Sequence, residues 1–276
     1  MSNTSTGWEL NNRVHFDDNV EKYDKVRWDY PAKLFEDVLE YAGGGKGKAA
    51  LEIGAGTGRA TVPFLDSGCT VTAIEMGGNM AEFLREKFKG NKRFNVINAT
   101  FEDIMLVKSH YDLVYAASAF HWVDTDIGCP KVFRILKSGG TFALFRNKFV
   151  PADGEDLFED IQAVYNEHFN SSHTLAEKPI KLSKEDFWKP SEIYKSFRFI
   201  GLEDYGFSNI TMNLYEMTLT FSADEYISLM DTFPDHRALP DSNREALFAG
   251  VREAIVRHGG YRKLDNTVQL YMGRKL

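Results

Sequence analysis

Residues 49–58 read Ala-Ala-Leu-Glu-Ile-Gly-Ala-Gly-Thr-Gly, and this stretch decides the fold. The apolar run from Ala49 to Ile53 predicts a short strand that is buried on both faces. Three glycines follow at alternate positions, and the apolar spacing after them predicts a helix. Glycines let the main chain turn tightly, and they leave no Cβ to hold a ligand away from backbone N–H groups. A strand, a glycine turn and a helix in this order therefore predict a ligand site at the turn.

The composition is that of an acidic globular protein. The 276 residues carry a net charge of −7, which disfavours a nucleic-acid partner because phosphate binding needs a basic surface. Two cysteines predict neither a disulfide framework nor a metal site, and they favour a reducing compartment. A signal-peptide pattern and an apolar run of about 18 residues are both absent from the sequence. We therefore expect a cytoplasmic protein without a membrane partner.

Alternating strands and helices continue through the first half of the chain. A helical pattern follows Pro31, and another surrounds Pro130 to Leu136. Short apolar runs predict further strands at 70–74, 94–97, 111–116 and 141–145. In the second half, helices are expected at 155–169, 223–231 and 241–258, with strands at 208–221 and 267–272. This order predicts an α/β protein with a doubly wound, mainly parallel sheet.

Two acids accompany the glycine turn. Glu75 ends the second predicted strand, 21 positions after Gly54, where a carboxylate can accept both hydrogens of a ribose diol. A dinucleotide-binding fingerprint has a later glycine at the position that Arg59 occupies here. This departure favours a ligand with one nucleoside and no pyrophosphate. Glu52 lies inside the first strand, and a buried carboxylate needs donors. Loop N–H groups or a bound ammonium can supply these donors. Alternatively, the carboxylate only forms a local hydrogen bond with the turn.

Six stretches carry a family resemblance, at 23–31, 51–58, 75–76, 100–103, 111–124 and 136–140. Together they resemble the motifs of class I S-adenosylmethionine-dependent methyltransferases, and 111–124 resembles the strand-four motif of the small-molecule enzymes in the type-11 group. Residues 136–140 are similar to the family's Leu-Lys-Pro-Gly-Gly turn, with Ser138 in place of proline. Residues 23–31 are similar to a signature of bacterial members close to trans-aconitate methyltransferase. The resemblance covers about residues 14–147.

The resemblance implies S-adenosylmethionine as the cofactor and assigns contacts along the turn. Gly54 and Gly56 would face its methionine part, with Glu52 near its ammonium. Glu75 would bind the ribose hydroxyls, and Met76 would pack on the adenine. Further implied cofactor contacts are Ala55, Gly58, Thr100, Phe101, Ala117 and Ser118. Of these, Phe101 would offer its backbone N–H to the adenine, while Thr100 stands where many members have an acid.

The N-terminal segment adds two candidate cofactor contacts. Tyr23 and Arg27 lie four positions apart on a predicted helix and face one way. Arg27 can pair with the cofactor carboxylate or form a surface salt bridge.

Four residues are candidates for the acceptor side. His121 can act as a general base or have a structural role beside Trp122. Arg146 can reach an acceptor carboxylate or remain solvated. Trp188 belongs to an aromatic stretch that can form core or cover the acceptor.

The resemblance implies a Rossmann-like seven-stranded sheet whose last strand is antiparallel. Residues 1–30 would cover the cofactor, 31–147 would form the cofactor-binding core, 148–204 would be an insertion over the acceptor, and 205–276 would hold the C-terminal strands with inserted helices. The predicted activity is O-, N- or C-methylation of a small molecule, with a carboxylate or phenol as acceptor, by a monomer or homodimer. Alternatives are an S-adenosylmethionine-binding module without turnover and a nucleotide-dependent oxidoreductase.

Overall fold

The computed structural model describes residues 10–169 and 179–276, which form two compact units. The sheet unit comprises Trp28–Lys148, Leu182–Tyr215 and Thr267–Leu276. The helical unit comprises the described parts of Met1–Arg27, Phe149–Lys181 and Glu216–Asn266. The predicted core at 31–147 lies inside the sheet unit, whereas 148–204 and 205–276 are each divided between the units. The cofactor and acceptor roles expected of these ranges stay predictions.

Seven strands form one sheet: β1 (Ala49–Ile53), β2 (Thr70–Glu75), β3 (Phe94–Asn98), β4 (Tyr111–Ala117), β5 (Leu136–Pro151), β6 (Ser208–Ser222) and β7 (Tyr261–Arg274). Their spatial order is β3-β2-β1-β4-β5-β7-β6, and the pairs from β3 to β5 are parallel. The N–H of Gly139 donates to Lys275, and the N–H of Ala152 donates to Lys263. Residue numbers rise along β5 while they fall along β7, so the two strands are antiparallel. The predicted α/β fold with an antiparallel last strand is therefore confirmed.

The α-helices in the described residues are α1 (Val20–Val26), α2 (Ala32–Ala42), α3 (Thr61–Asp66), α4 (Gly78–Lys87), α5 (Thr125–Ile135), α6 (Glu155–His168), α7 (Lys184–Phe187), α8 (Pro190–Phe197), α9 (Ala223–Met230), α10 (Pro234–Arg237) and α11 (Asp241–Arg257). Short 3-10 helices lie at Leu10–Asp17, Phe120–Trp122 and Leu202–Tyr205. None of the helices within these described ranges has both the length and the apolar character needed to cross a bilayer.

The largest differences from the predicted elements lie on either side of Leu136. Helix α5 begins before Pro130 because the Asp124 side chain accepts a hydrogen bond from the N–H of Asp126 and caps the helix there. Strand β5 already begins at Leu136, and its pairing with β4 shifts register before Thr141. Residues 138–140 therefore form an irregularity within the strand instead of a turn ahead of it.

The sheet has a hydrophobic core on each face. Leu51 and Ile53 of β1 belong to one cluster, and Ala50 belongs to the other, as expected for alternating side chains. Because β1, β2 and β4 are parallel, their carboxyl ends meet at one edge of the sheet. In open α/β sheets this edge is where ligands bind.

Polar side chains pair away from solvent in the described part of the helical unit. Asp153 and Arg262 form an ion pair in which each side chain is 4% exposed. The Tyr165 hydroxyl lies 2.8 Å from His236 Nε2; the histidine is buried and the tyrosine is half-buried. This unit therefore depends on polar contacts as well as on apolar packing.

Candidate functional site

The three glycines of the turn adopt left-handed backbone conformations, with φ of +67° at Gly54, +56° at Gly56 and +79° at Gly58. A Cβ at Gly54 would lie 2.6 Å from the Cβ of Ala119, and one at Gly58 would lie 2.7 Å from the Phe88 ring. A Cβ at Gly56 would meet no atom of the described residues within 4 Å. The turn is therefore closely packed at its first and last glycines, and it has open space beside the middle one.

Glu75 ends β2, and its carboxylate is bonded to the glycine turn. One oxygen accepts a hydrogen bond from the N–H of Gly56 at 2.8 Å, and the other accepts from the N–H of Gly77 at 2.9 Å. A carboxylate oxygen has two lone pairs, so these bonds do not exclude a ligand diol. Met76 is half-buried, and its carbonyl accepts from the Asn98 side chain at 2.9 Å. Both candidate residues therefore lie beside the turn in a fixed geometry.

Glu52 is 1% exposed and occupies the face of β1 that it shares with Ala50. Its Oε2 accepts hydrogen bonds from the hydroxyls of Thr61 and Tyr115, the latter at 2.9 Å. Burial raises the pKa of this carboxyl to about 7, although the two hydroxyls oppose the shift. Its Oε1 has no hydrogen-bond partner within the described ranges. A hydrogen-bond donor on a ligand would satisfy this buried acceptor.

The turn after β3 carries Thr100 and Phe101. The Thr100 hydroxyl donates to the Asp103 carboxylate, and Phe101 is buried in the core. The ammonium of Lys131 donates to three carbonyls within 101–104, including that of Phe101 at 2.6 Å. Sequence analysis missed Lys131 because it follows these carbonyls by 27–30 positions and belongs to no local motif.

The loop after β4 begins at Ala117 and Ser118. Ser118 has a φ of +53°, which is uncommon for a residue with a side chain. Its hydroxyl accepts hydrogen bonds from the Tyr30 hydroxyl and the Asn147 amide, both at 3.0 Å. Three separate segments of the sheet unit therefore meet at this serine.

His121 and Arg146 are brought together across 25 positions of sequence. The Nη1 of Arg146 lies 2.8 Å from His121 Nε2 and 3.1 Å from Nδ1, so the arginine donates to the ring nitrogen that lacks a proton. Burial, followed by the charges of Arg146 and Arg198, holds the pKa of His121 well below its ordinary value. Burial also lowers the pKa of Arg146 to about 10, so it stays charged at neutral pH. The pair is a neutral imidazole beside a half-buried cation.

The two candidate tryptophans have different surroundings. Trp122 is buried, and its ring lies 5.1 Å from the His121 ring between centroids. Trp188 is exposed, and its ring lies 6.2 Å from that of Tyr271. The acceptor role of Trp188 stays a prediction.

Tyr23 and Arg27 belong to the helical unit. Tyr23 lies in α1, and the Arg27 guanidinium lies 4.7 Å from the Tyr23 ring and 4.8 Å from the Phe233 ring. It also donates to the carbonyl of Thr232 at 3.2 Å. The two side chains do face one another, and their cofactor roles stay predictions.

The geometry of the sheet unit fits the implied cofactor. The open space beside Gly56 admits a ligand close to the main chain, and no donor to the buried Oε1 of Glu52 lies within residues 10–169 and 179–276. Glu75 supplies a carboxylate at the adjoining strand end. These features suit a ligand that carries an ammonium and a ribose.

Comparisons with known proteins identify the same region. The family described as "Methyltransferase domain" matches residues 51–144. An uncharacterized methyltransferase of Mycobacterium tuberculosis is 31% identical over 134 residues, which are 49% of this chain and 52% of the relative. The chain therefore spans about half the length of the first curated relatives it matches.

Two further likenesses extend over more of the chain. An uncharacterized methyltransferase of Schizosaccharomyces pombe is 25% identical over 241 residues, 87% of this chain and 86% of the relative. The solved structure of Haemonchus contortus phosphoethanolamine N-methyltransferase 2 shares the fold, with a TM-score of 0.54 and 13% identity over 100% of this chain and 61% of that one. With the motifs and the sheet order, these matches identify residues 51–144 as a methyltransferase domain similar to those of the type-11 group.

Proposed function

We propose that this protein transfers a methyl group from S-adenosylmethionine to a small-molecule acceptor. The observation that carries the proposal is the close approach of Gly54 to Ala119, where a single added Cβ would lie 2.6 Å from the alanine. Gly54 belongs to the turn proposed for the donor, and Ala119 belongs to the loop proposed for the acceptor. Methyl transfer needs its reacting atoms roughly 3–3.5 Å apart. Ligands bound at two adjoining segments can approach one another that closely.

The residues around the turn have distinct proposed tasks. Glu52 offers its buried Oε1 to the cofactor ammonium, and Glu75 receives the ribose hydroxyls. Gly56 allows the ligand to approach the main chain. When bound, S-adenosylmethionine supplies a methyl group on a positively charged sulfur. The protein aligns donor and acceptor and excludes water, and such alignment can contribute roughly 7–11 kcal/mol.

His121 is proposed to position the acceptor, and no proton transfer is assigned to it. Its lowered pKa keeps the imidazole neutral, and Arg146 donates to the nitrogen that would otherwise accept a proton. Both features make it a weak base near neutral pH. A carboxylate acceptor is already ionised and needs no base, whereas a phenol would have to lose its proton. The carboxylate is therefore the better match to these side chains.

The experiment that tests the proposal has two readouts. Calorimetry measures binding of S-adenosylhomocysteine, and a labelled-methyl assay screens small carboxylates, phenols and amines as acceptors. We expect binding to one site and transfer to at least one acceptor. The exposed Glu82→Gln variant on α4 serves as the matched control and should behave as wild type.

The alternatives give different results in the same experiment. Binding of S-adenosylhomocysteine without transfer to any acceptor would support a binding module without turnover. Absence of that binding, together with binding of a nicotinamide nucleotide, would overturn the proposal in favour of an oxidoreductase.

A further inference from the structure

Basic side chains are concentrated at the ends from which the parallel strands of the sheet begin. They are, in chain order, Lys46 and Lys48 before β1, Lys92 and Arg93 before β3, Lys108 before β4, and Arg134 before β5. Because these strands belong to one run of parallel pairs, the basic residues lie at the same edge of the sheet, opposite the glycine turn. We call this group of residues the basic edge.

Backbone hydrogen bonds join the segments of the basic edge. The first two N–H groups of β2 donate to the carbonyls of Lys48 and Arg93, each at 2.8 Å. On the other side of β1, the N–H of Ser109 donates to the carbonyl of Arg134 at 3.1 Å. Adjacent strands lie roughly 4.8 Å apart, so the edge extends roughly 19 Å from β3 to β5. The basic residues therefore form one continuous surface.

The cations of the basic edge have no acidic partners of their own. None of them forms an ion pair within residues 10–169 and 179–276, and most of their side chains are exposed. Asp112, at the start of β4, is already engaged, since its carboxylate accepts a hydrogen bond from the Lys137 ammonium at 2.8 Å. Asp66, the acid that ends α3, forms no ion pair with any of these cations. No acid in the described ranges therefore neutralises the edge by direct contact.

Cations on the helices of the same unit are arranged differently. An acid three residues away forms an ion pair with each of Arg85, Lys89, Lys189 and Lys195. The sheet unit as a whole is nearly neutral, with 21 Lys and Arg against 19 Asp and Glu, whereas the whole chain has a net charge of −7. The basic edge is therefore a local accumulation of positive charge within an acidic protein.

Two features favour a short acidic segment over a nucleic acid as the partner of this surface. Single-stranded nucleic acids commonly stack their bases on exposed aromatic rings. Among the described residues 43–48, 89–93, 107–110 and 134–139, only His110 offers an exposed ring. A polyanion longer than the edge would also extend into the negative field of the rest of the chain, whereas a segment of about six extended residues would not.

We propose that the basic edge is a docking surface for an acidic segment of a partner protein. The Asp and Glu carboxylates of that segment would supply the counter-ions that the edge lacks, and they would steer the partner to this edge of the sheet. The glycine turn lies at the opposite edge, so the docked partner would leave the proposed cofactor site accessible. The inference is thus independent of the proposed methyl transfer.

The test uses the full chain and a fluorescein-labelled oligoglutamate of about ten residues, which is long enough to cover the edge. Fluorescence anisotropy measures binding at about 50 mM and about 300 mM NaCl, because salt screens contacts between exposed charges. One variant combines Lys46→Gln with Arg93→Gln, and a second combines Lys108→Gln with Arg134→Gln. Each variant removes two cations from one part of the edge.

The matched control combines Lys25→Gln with Lys184→Gln. Both lysines are exposed and lie outside the basic edge, and neither forms an ion pair in the part of the chain that the structure describes. The control therefore changes the net charge of the chain by the same amount as each edge variant. Far-UV circular dichroism establishes that all three variants are folded.

We expect wild type to bind oligoglutamate at the lower salt concentration and to lose about tenfold or more of that affinity at the higher one. Each edge variant should bind about three- to tenfold more weakly than wild type at low salt, and the control should bind as wild type does. Absence of binding to wild type, equal binding by wild type and the edge variants, or an equal loss in the control would overturn the inference.

Two other polyanions distinguish the kind of partner. A labelled oligothymidylate of similar charge and vesicles of equal parts phosphatidylserine and phosphatidylcholine are tested under the same conditions. If either binds wild type more tightly than oligoglutamate does and loses affinity in the edge variants, the surface serves a nucleic acid or a membrane, and the inference is overturned. S-adenosylhomocysteine should bind the edge variants as it binds wild type, because the basic edge lies away from the glycine turn.

Discussion

The carboxylate of Glu75 and the backbone N–H of Gly56 are joined by a hydrogen bond of 2.8 Å. The acid that ends β2 therefore holds the middle glycine of the turn after β1. A single carboxylate is thus placed both to shape the turn and to contact the ligand that the turn is proposed to bind.

We expect Glu75→Gln to weaken binding of S-adenosylhomocysteine roughly 10–100-fold and to reduce stability by about 1–3 kcal/mol. The amide offers one acceptor oxygen where the carboxylate offers two, so one of the N–H groups of Gly56 and Gly77 loses its partner. Calorimetry and urea unfolding measure the two effects, with the exposed Glu82→Gln as control. Unchanged ligand affinity would refute the ribose role of Glu75.

Two glycines allow the stability cost of backbone strain to be distinguished from steric loss of ligand binding. Gly56 and Gly139 both have positive φ, and a Cβ at either would have no neighbour within 4 Å in the part of the chain that the structure describes. Alanine at each position should therefore cost a similar amount, about 1–2 kcal/mol. Only Gly56→Ala should also lose S-adenosylhomocysteine affinity, by about tenfold or more, because its methyl group enters the proposed ligand space. Equal binding by both variants would contradict the site.

The buried Glu52 should give a distinctive pH dependence of stability. Its carboxyl pKa is raised from 4.5 to about 7, so the folded state binds this proton more tightly than the unfolded chain does. Its contribution to stability therefore falls as pH rises from about 4.5 to about 7. The total change is on the order of 3 kcal/mol.

The measurement compares wild type with Glu52→Gln by urea unfolding at pH 5 and pH 8. The neutral variant has no carboxyl to ionise at position 52, so it lacks this pH-dependent contribution to the free energy of unfolding. It should therefore gain stability relative to wild type at the higher pH. His121 and His236 have lowered pKa values and act in the opposite direction, so the difference between the two proteins isolates Glu52. If the stabilities of the two proteins changed with pH in parallel, the pKa of the Glu52 carboxyl would not be raised by folding.

In the helical unit, Asp153→Asn should destabilise the protein by about 3–5 kcal/mol, because it leaves the buried Arg262 without its counter-ion. The exposed pair between Lys181 and Glu216, at 3.0 Å, provides the control. Glu216→Gln should cost no more than about 1 kcal/mol. Urea unfolding of both variants measures the difference, and similar losses would mean that burial of the Asp153 pair contributes little.

The elements that could be predicted from sequence are those that depend on local pattern. The run from Ala49 to Ile53 is strand β1, and the acid expected at the end of the next strand is Glu75. Helices α6 and α11 follow from their apolar spacing. The helix expected around Pro130 to Leu136 is present, but it begins earlier, at Thr125, where the Asp124 side chain caps it.

Contacts between distant segments could not be predicted in this way. The hydroxyls that bond Glu52 come from Thr61 and Tyr115, on a helix and a strand that one sequence does not show to be neighbours. Arg198 lies in the half of the chain with the weakest resemblance, and sequence does not reveal its left-handed backbone conformation. Local pattern therefore predicts the elements around the glycine turn better than the contacts that join separate segments.

The hydroxyl of Ser118 receives hydrogen bonds from both Tyr30 and Asn147. Because a hydroxyl oxygen has two lone pairs, these bonds use both of them and leave only the hydrogen for a further partner. The serine thereby changes from a group that can give or take a hydrogen bond into a one-directional donor. We therefore predict that a ligand atom bound at the Ser118 hydroxyl is a hydrogen-bond acceptor, and that a donor at the same position is disfavoured.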